Sequence, residues 1–138
     1  MKKLVLLLGV AVLAFAAVAS ASPSKEIMLG AKLDAMQDHA TSHGKGTFTA
    51  TVNGKTLHYT LKFTGLTGAA TAAHIHLGAK GKSGNVLVPL CGPCSAHQMG
   101  TVKLNAMQLR DVKKDATYVN VHTAKYPNGE IRGQLAVH

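Results

Sequence analysis

From Gly46 onward, apolar and polar residues alternate with a period of two. GTFTATV (46–52) places Phe48, Ala50 and Val52 on one face, and TLHYTLKF (56–63) places Leu57, Tyr59, Leu61 and Phe63 on one face with His58, Thr60 and Lys62 on the other. Side chains of a strand point alternately to its two sides, so this pattern predicts half-buried strands. Asn53-Gly54 between them predicts a hairpin through a type I′ turn, because both residues tolerate positive φ. Further strands are predicted through Ala72 to Leu77, over Val86 to Leu90 and over Gly100 to Leu104. Two more, Tyr118 to Thr123 and Glu130 to Val137, are joined by Tyr126-Pro127-Asn128-Gly129. Asn105 to Lys114 reads as one helical turn or a loop, and Ile27 to Met36 as a first strand or a short helix. Short strands at roughly even spacing predict an all-β fold, an antiparallel β-sandwich or barrel.

The chain begins MKKLVLLLGVAVLAFAAVASAS. A basic start, an apolar run and Ala19-Ser20-Ala21 have the form of a secretory signal peptide, and the run is shorter than the ~20 residues that span a bilayer. The expected organisation is a signal peptide at 1–21, an amino-terminal segment of unassigned structure at 22–44 and one domain at 45–138. The product is expected to be exported, periplasmic or secreted, with no transmembrane segment. The whole chain carries 15 Lys+Arg against 6 Asp+Glu, and losing Lys2 and Lys3 with the leader reduces its formal charge from +9 to +7. That balance suits an envelope rich in acidic polymers, or plain solubility. The lysines are scattered and the destination is outside the cytoplasm, which argues against nucleic acid and leaves an unidentified protein or envelope ligand as partner.

All eight histidines lie beyond the leader. In AHIHL, Ala73, Ile75 and Leu77 share one face, so His74 and His76 share the other. In YVNVHT, Val119 and Val121 claim the core and send Tyr118, Asn120 and His122 outward. In EIRGQLAV, Ile131, Gly133, Leu135 and Val137 face in and Glu130, Arg132 and Gln134 face out. If these strands are neighbours, His74, His76 and His122 meet, with Asn120, Glu130 and Arg132 as a neighbouring polar face. Three neutral imidazoles suit copper, zinc or nickel. The bland alternative is three solvated strand residues, or three that hydrogen-bond a covering loop. Arg132 argues for an anion contact, or for simple pairing with Glu130 or another acid.

LCGPCSAHQMG (90–100) holds Cys91, Cys94, His97 and Met99. The C-x-x-C spacing lacks the βαβ context of a thioredoxin-type motif, so an oxidising compartment predicts a local disulfide between Cys91 and Cys94. The sharper alternative is a soft site in which the two thiolates join His97 and Met99 on Cu(I) or zinc. Met36, His39 and His43 read as exposed. Nucleophile elbows, phosphate loops and dinucleotide fingerprints are absent, and Glu130 is the one acid inside a conspicuous motif, so an enzyme is the weaker reading.

AAHIHLGAKGKSGNVLVPL followed by YVNVHTAKYPNGEIRGQL resembles the CHRD domain, named for its occurrence in chordin. The resemblance covers about Gly46 to the end and departs from the family pattern near the start, where the chain reads DAMQDHATSHG. It implies an antiparallel β-sandwich or barrel, of Greek-key type, superoxide-dismutase-like or immunoglobulin-like. For single exported bacterial domains it implies no established activity. The His-x-His pair is also locally similar to the copper site of copper/zinc superoxide dismutases. Those enzymes need a bridging histidine and a zinc loop, and between His76 and His122 this chain offers only His97, Asp111 and Asp115. The leading expectation is therefore a binding or structural module acting through its histidine-lined face. The alternative is an envelope copper-binding protein, with a dismutase-like oxidoreductase third.

Overall fold

The computed structural model describes residues 25–35, 37 and 39–138; the expected signal peptide lies outside them. The described elements run in the order β1 (Ile27–Asp34), β2 (Lys45–Asn53), β3 (Thr56–Thr64), β4 (Ala70–Leu77), β5 (Val86–Cys91), β6 (His97–Lys103), α1 (Ala106–Asp111), β7 (Thr117–Thr123), β8 (Ile131–Gln134) and β9 (Ala136–Val137). Every pairing between strands is antiparallel. The order across the sheet is β5-β4-β7-β8-β1-β2-β3-β6, with β9 also on β1. This single sheet curls until it nearly closes into a barrel, one of the two expected architectures. At the seam the Tyr59 hydroxyl on β3 donates to the Leu90 carbonyl on β5 at 2.6 Å. The Cys91–Cys94 disulfide (S–S 2.11 Å) tightens the β5–β6 connection there, and the Cys94 N–H donates to the Ala70 carbonyl on β4.

The alternating residues of β2 and β3 fill the interior as their pattern predicts. Phe48, Val52, Leu57 and Leu61 are buried, and Phe48 stacks on Tyr59 with ring centroids 5.9 Å apart. Ala31 faces Phe48 across the β1–β2 pairing, where a small side chain leaves room for the ring. Ile75, Val119, Val121 and Ile131 complete the core from the other strands. Each such aliphatic side chain contributes about 1.5–3 kcal/mol on burial.

Several boundaries differ from the sequence reading. The hairpin loop falls one residue late: Asn53 pairs with Thr56, so the two loop residues are Gly54 and Lys55. Gly54 has φ +58° and Lys55 has no positive φ, the pattern of a type II′ turn, which glycine at the first loop position permits. Ile27 to Met36 resolves as strand over Ile27–Asp34, paired with β2 along its whole length and burying Leu29 and Leu33. Asn105 begins a six-residue helix through a reciprocal capping box with Gln108, which satisfies two otherwise free N–H groups. The last expected strand breaks in two around Leu135, whose N–H donates to the Thr117 carbonyl. Val137 then lies on β9 beside Leu29 and is exposed, not inward as its parity suggested.

Candidate metal centre

Strand parity is what brings the histidines together. Ala73 and Ile75 on β4 and Val119 and Val121 on β7 are wholly buried in the core. A slip of one residue would exchange them for imidazoles and an amide, losing apolar burial and stranding polar groups. The β4–β7 register pairs Ala72 with His122, His74 with Asn120 and His76 with Tyr118. His74, His76 and His122 therefore lie on the outer face of adjacent strands.

That face is outer but not solvated: all seven residues of β7 are buried. The segment 78–84 folds back over it. Gly84 packs so closely against β4 that a Cβ there would lie 1.9 Å from the Leu77 carbonyl oxygen, a place only glycine can take. The segment 124–129 covers the other end, its Tyr126 bonded backbone to backbone with Thr123. Between them is an open hollow of about 810 Å³ lined by the three histidines, Tyr118 and Asn120.

The covering loops orient two of the rings. His76 Nδ1 lies 3.0 Å from the Gly84 carbonyl and His122 Nδ1 lies 3.0 Å from the Pro127 carbonyl. A carbonyl can only accept, so both Nδ1 atoms carry the proton and both Nε2 atoms present a lone pair. His74 Nδ1 is 3.2 Å from His122 Nε2 and, with no ion bound, donates to it. One ring nitrogen from each residue falls within 4.8 Å of the other two. Tetrahedral ligation at about 2.0–2.1 Å per bond needs nitrogens about 3.3 Å apart, so side-chain rotations of roughly an ångström complete the set. His76 Nε2 is buried and has no hydrogen-bond partner.

All three rings are held below the ordinary histidine pKa. For His74 the causes are burial and then the neighbouring His122 and His76. For His76, burial and the Arg132 charge outweigh the bond to Gly84. For His122, burial and the His76 charge outweigh the bond to Pro127. Neutral imidazoles are the form a metal requires. His76 and His122 present Nε2 lone pairs with backbone carbonyls behind them as the usual outer support, and His74 would ligate through Nδ1 by carrying its proton on Nε2 instead.

Arg132 does not pair with Glu130. Its guanidinium lies 3.4 Å above the Tyr118 ring and donates to the Ala79 and Lys82 carbonyls at 3.2 and 2.7 Å. Tyr118 in turn stacks on His76, centroids 5.0 Å apart and planes 10° apart. Arg132, Tyr118 and His76 thus form one column that pins the 78–84 loop, and Gln134 adds a bond to the Gly78 carbonyl. Tyr118 was legible as outward from its parity with His122, but nothing in the sequence marked it as the platform under His76.

Glu130 is engaged elsewhere. Its buried carboxylate accepts from the Thr67 N–H and hydroxyl at 2.8 and 2.9 Å and from the Thr123 hydroxyl at 2.6 Å, tying the β3–β4 loop to β7. Burial alone would raise its pKa; the bonds from Thr123, Thr67 and Ser42 outweigh that and hold the carboxyl below its ordinary value. The soft site does not assemble either. Cys91 and Cys94 are bonded to each other, which removes both thiolates, and His97 and Met99 are exposed on the edge strand β6. His39 and His43 are exposed, and Met36 lies outside the described residues. Asp111 is paired with Arg110 and Lys114, both at 3.0 Å. Among the described residues, His74, His76 and His122 form the one grouping of three or more ligand side chains within mutual reach.

Fold and site together describe a small antiparallel β-barrel module that carries a covered histidine cluster on one outer face. The chain belongs to the CHRD family: the family model of the CHRD domain matches residues 29–135, from β1 to the last core residue. This is a family of binding and structural modules. No curated protein and no solved structure matches the chain. Among the described residues no helix is long and apolar enough to cross a membrane.

Proposed function

We propose that this CHRD domain is an exported metal-binding module that holds a copper ion through His74 Nδ1, His76 Nε2 and His122 Nε2. The observation that carries the reading is the buried, unpartnered His76 Nε2 on a ring that stands within ligating reach of two further imidazoles. Three neutral imidazoles suit copper and zinc, and copper(II) binds nitrogen sites more tightly than the other common divalent ions. Zinc is the competing ion at the same donors. The reading ends at binding, because dismutase chemistry of the two-metal kind needs a bridging histidine and acids that the cluster does not contain.

Metal analysis after copper or zinc loading and dialysis tests the proposal. The wild-type protein is expected to retain stoichiometric metal and His76→Ala to lose it. Wild-type protein that emerges metal-free overturns the proposal. A second reading, in which the same face docks a protein or envelope polymer, draws on the exposed rim of the hollow at Ser83, Ala124 and Asn128. Partner binding that His76→Ala leaves intact, by a metal-free protein, would select it.

A further inference from the structure

The metal reading leaves one buried group of the hollow unused. Asn120 sits at the centre of the histidine face, opposite His74 on β4 and Arg132 on β8, with Tyr118 and His122 on either side along β7. It is 2% exposed. Its Nδ2 donates to the Asn128 carbonyl at 3.2 Å, which fixes the orientation of the amide, and its Oδ1 has no partner. Both residues line this hollow, and the orphaned atom of each, Asn120 Oδ1 and His76 Nε2, is an acceptor. Arg132, opposite Asn120 in the β7–β8 pairing, is already committed to Ala79 and Lys82. Acceptors left unpaired together in a buried site are costly, by about 1–3 kcal/mol each. A hydrated cation satisfies both kinds at once: the ion takes the imidazole lone pairs, and a water bound to it donates to the amide oxygen.

We propose that Asn120 positions an exchangeable water on the metal, so that the centre keeps one open coordination position facing the hollow. That position takes small monodentate ligands with a hydrogen to give to Asn120, such as water, hydroxide or a simple amine. It disfavours hydrogen-free anions such as azide. The inference rests on the metal reading above.

The test uses the mature chain loaded with copper(II). In water enriched in oxygen-17, the electron paramagnetic resonance lines of the wild-type protein are expected to broaden, which reports a directly bound water. Asn120→Ala is expected to retain stoichiometric copper and to bind azide about fivefold more tightly than wild type, because the displaced water no longer has a hydrogen bond to lose. Asn120→Ser serves if the alanine variant does not fold, and the wild-type measurement needs no variant. Copper that binds without oxygen-17 broadening, or with equal azide affinity in wild type and variant, overturns the role of Asn120 and leaves the three-histidine site standing. A wild-type protein that retains no copper removes both.

Discussion

His58 and His76 occupy equivalent places by parity, each outward on a strand whose neighbours face the core, yet their surroundings differ completely. His58 on β3 is exposed and shares a 3.0 Å hydrogen bond with the Thr101 hydroxyl on the next strand. His76 on β4 is 8% exposed, stacked on Tyr118, bonded to Gly84 and within ligating reach of two other rings. The same contrast separates the two halves of the barrel. Around β2 and β3 the outward residues meet solvent, as in an ordinary antiparallel sheet with one wet face. Around β4 and β7 two loops lie over the outward residues, and β7 is buried on both sides. Outward parity is therefore compatible with a solvated spacer or with a site. The covering loops decide between them, because they remove water and supply the carbonyls that set the tautomers.

The largest test of this comparison is a paired substitution. His76→Ala is expected to lower copper affinity at least 100-fold, whereas His58→Ala is expected to leave it unchanged, both read by competition with a chromophoric chelator. Equal effects would erase the distinction between the two faces. Next comes the column that holds the loop. Arg132→Ala removes two charge-assisted hydrogen bonds and the contact with Tyr118, so it should cost about 2–3 kcal/mol of stability and weaken copper binding about tenfold. Lys62→Ala on the open face should stay within about 0.5 kcal/mol in the same denaturant titrations. At the seam between the halves, replacing Cys91 and Cys94 by serine together removes a cross-link that closes a very short loop. The expected loss is about 2 kcal/mol, with copper binding retained.

The smallest effect is on pH dependence. The folded protein holds His74, His76 and His122 below the ordinary histidine value, mainly through burial, so the unfolded chain takes up protons first as pH falls. The metal-free domain should then have its full stability above about pH 6.5 and lose part of it as pH drops below that value. Glu130, held below its ordinary value, adds a separate loss only below about pH 4.5. Thermal unfolding between pH 7.5 and 5 checks the histidine step. Exchanging His58 for glutamine should leave the step in place, and exchanging His74 and His122 should reduce it to the part that His76 contributes.

The sequence carried the fold class, the inward faces of β2 and β3, the inward places of Ala73, Ile75, Val119 and Val121, and the outward parity of the three histidines, because two-residue periodicity is a local property of a pleated chain. Leu77, of the same parity as Ile75, ends exposed where β4 runs out. Burial of Phe48, Leu57, Ile75 and Val121 follows that period without help from the rest of the molecule. The Cys91–Cys94 bond was also legible, since cysteines three apart have a near partner at hand. Where local signals were even, as in the strand-or-helix stretch 27–36, pairing with β2 made the choice.

Tertiary structure decided which polar neighbours share the hollow. Glu130 and Arg132 have the parity of Gln134, yet Glu130 is drawn to Thr67, a residue 63 positions away, and Arg132 to carbonyls 53 and 50 positions away. Tyr118 under His76, the tautomers set by Gly84 and Pro127, and the solitary oxygen of Asn120 likewise depend on how loops return over the sheet. Periodicity reports which side of a strand a residue takes. What waits on that side is a matter of long-range packing, which no short window of residues contains.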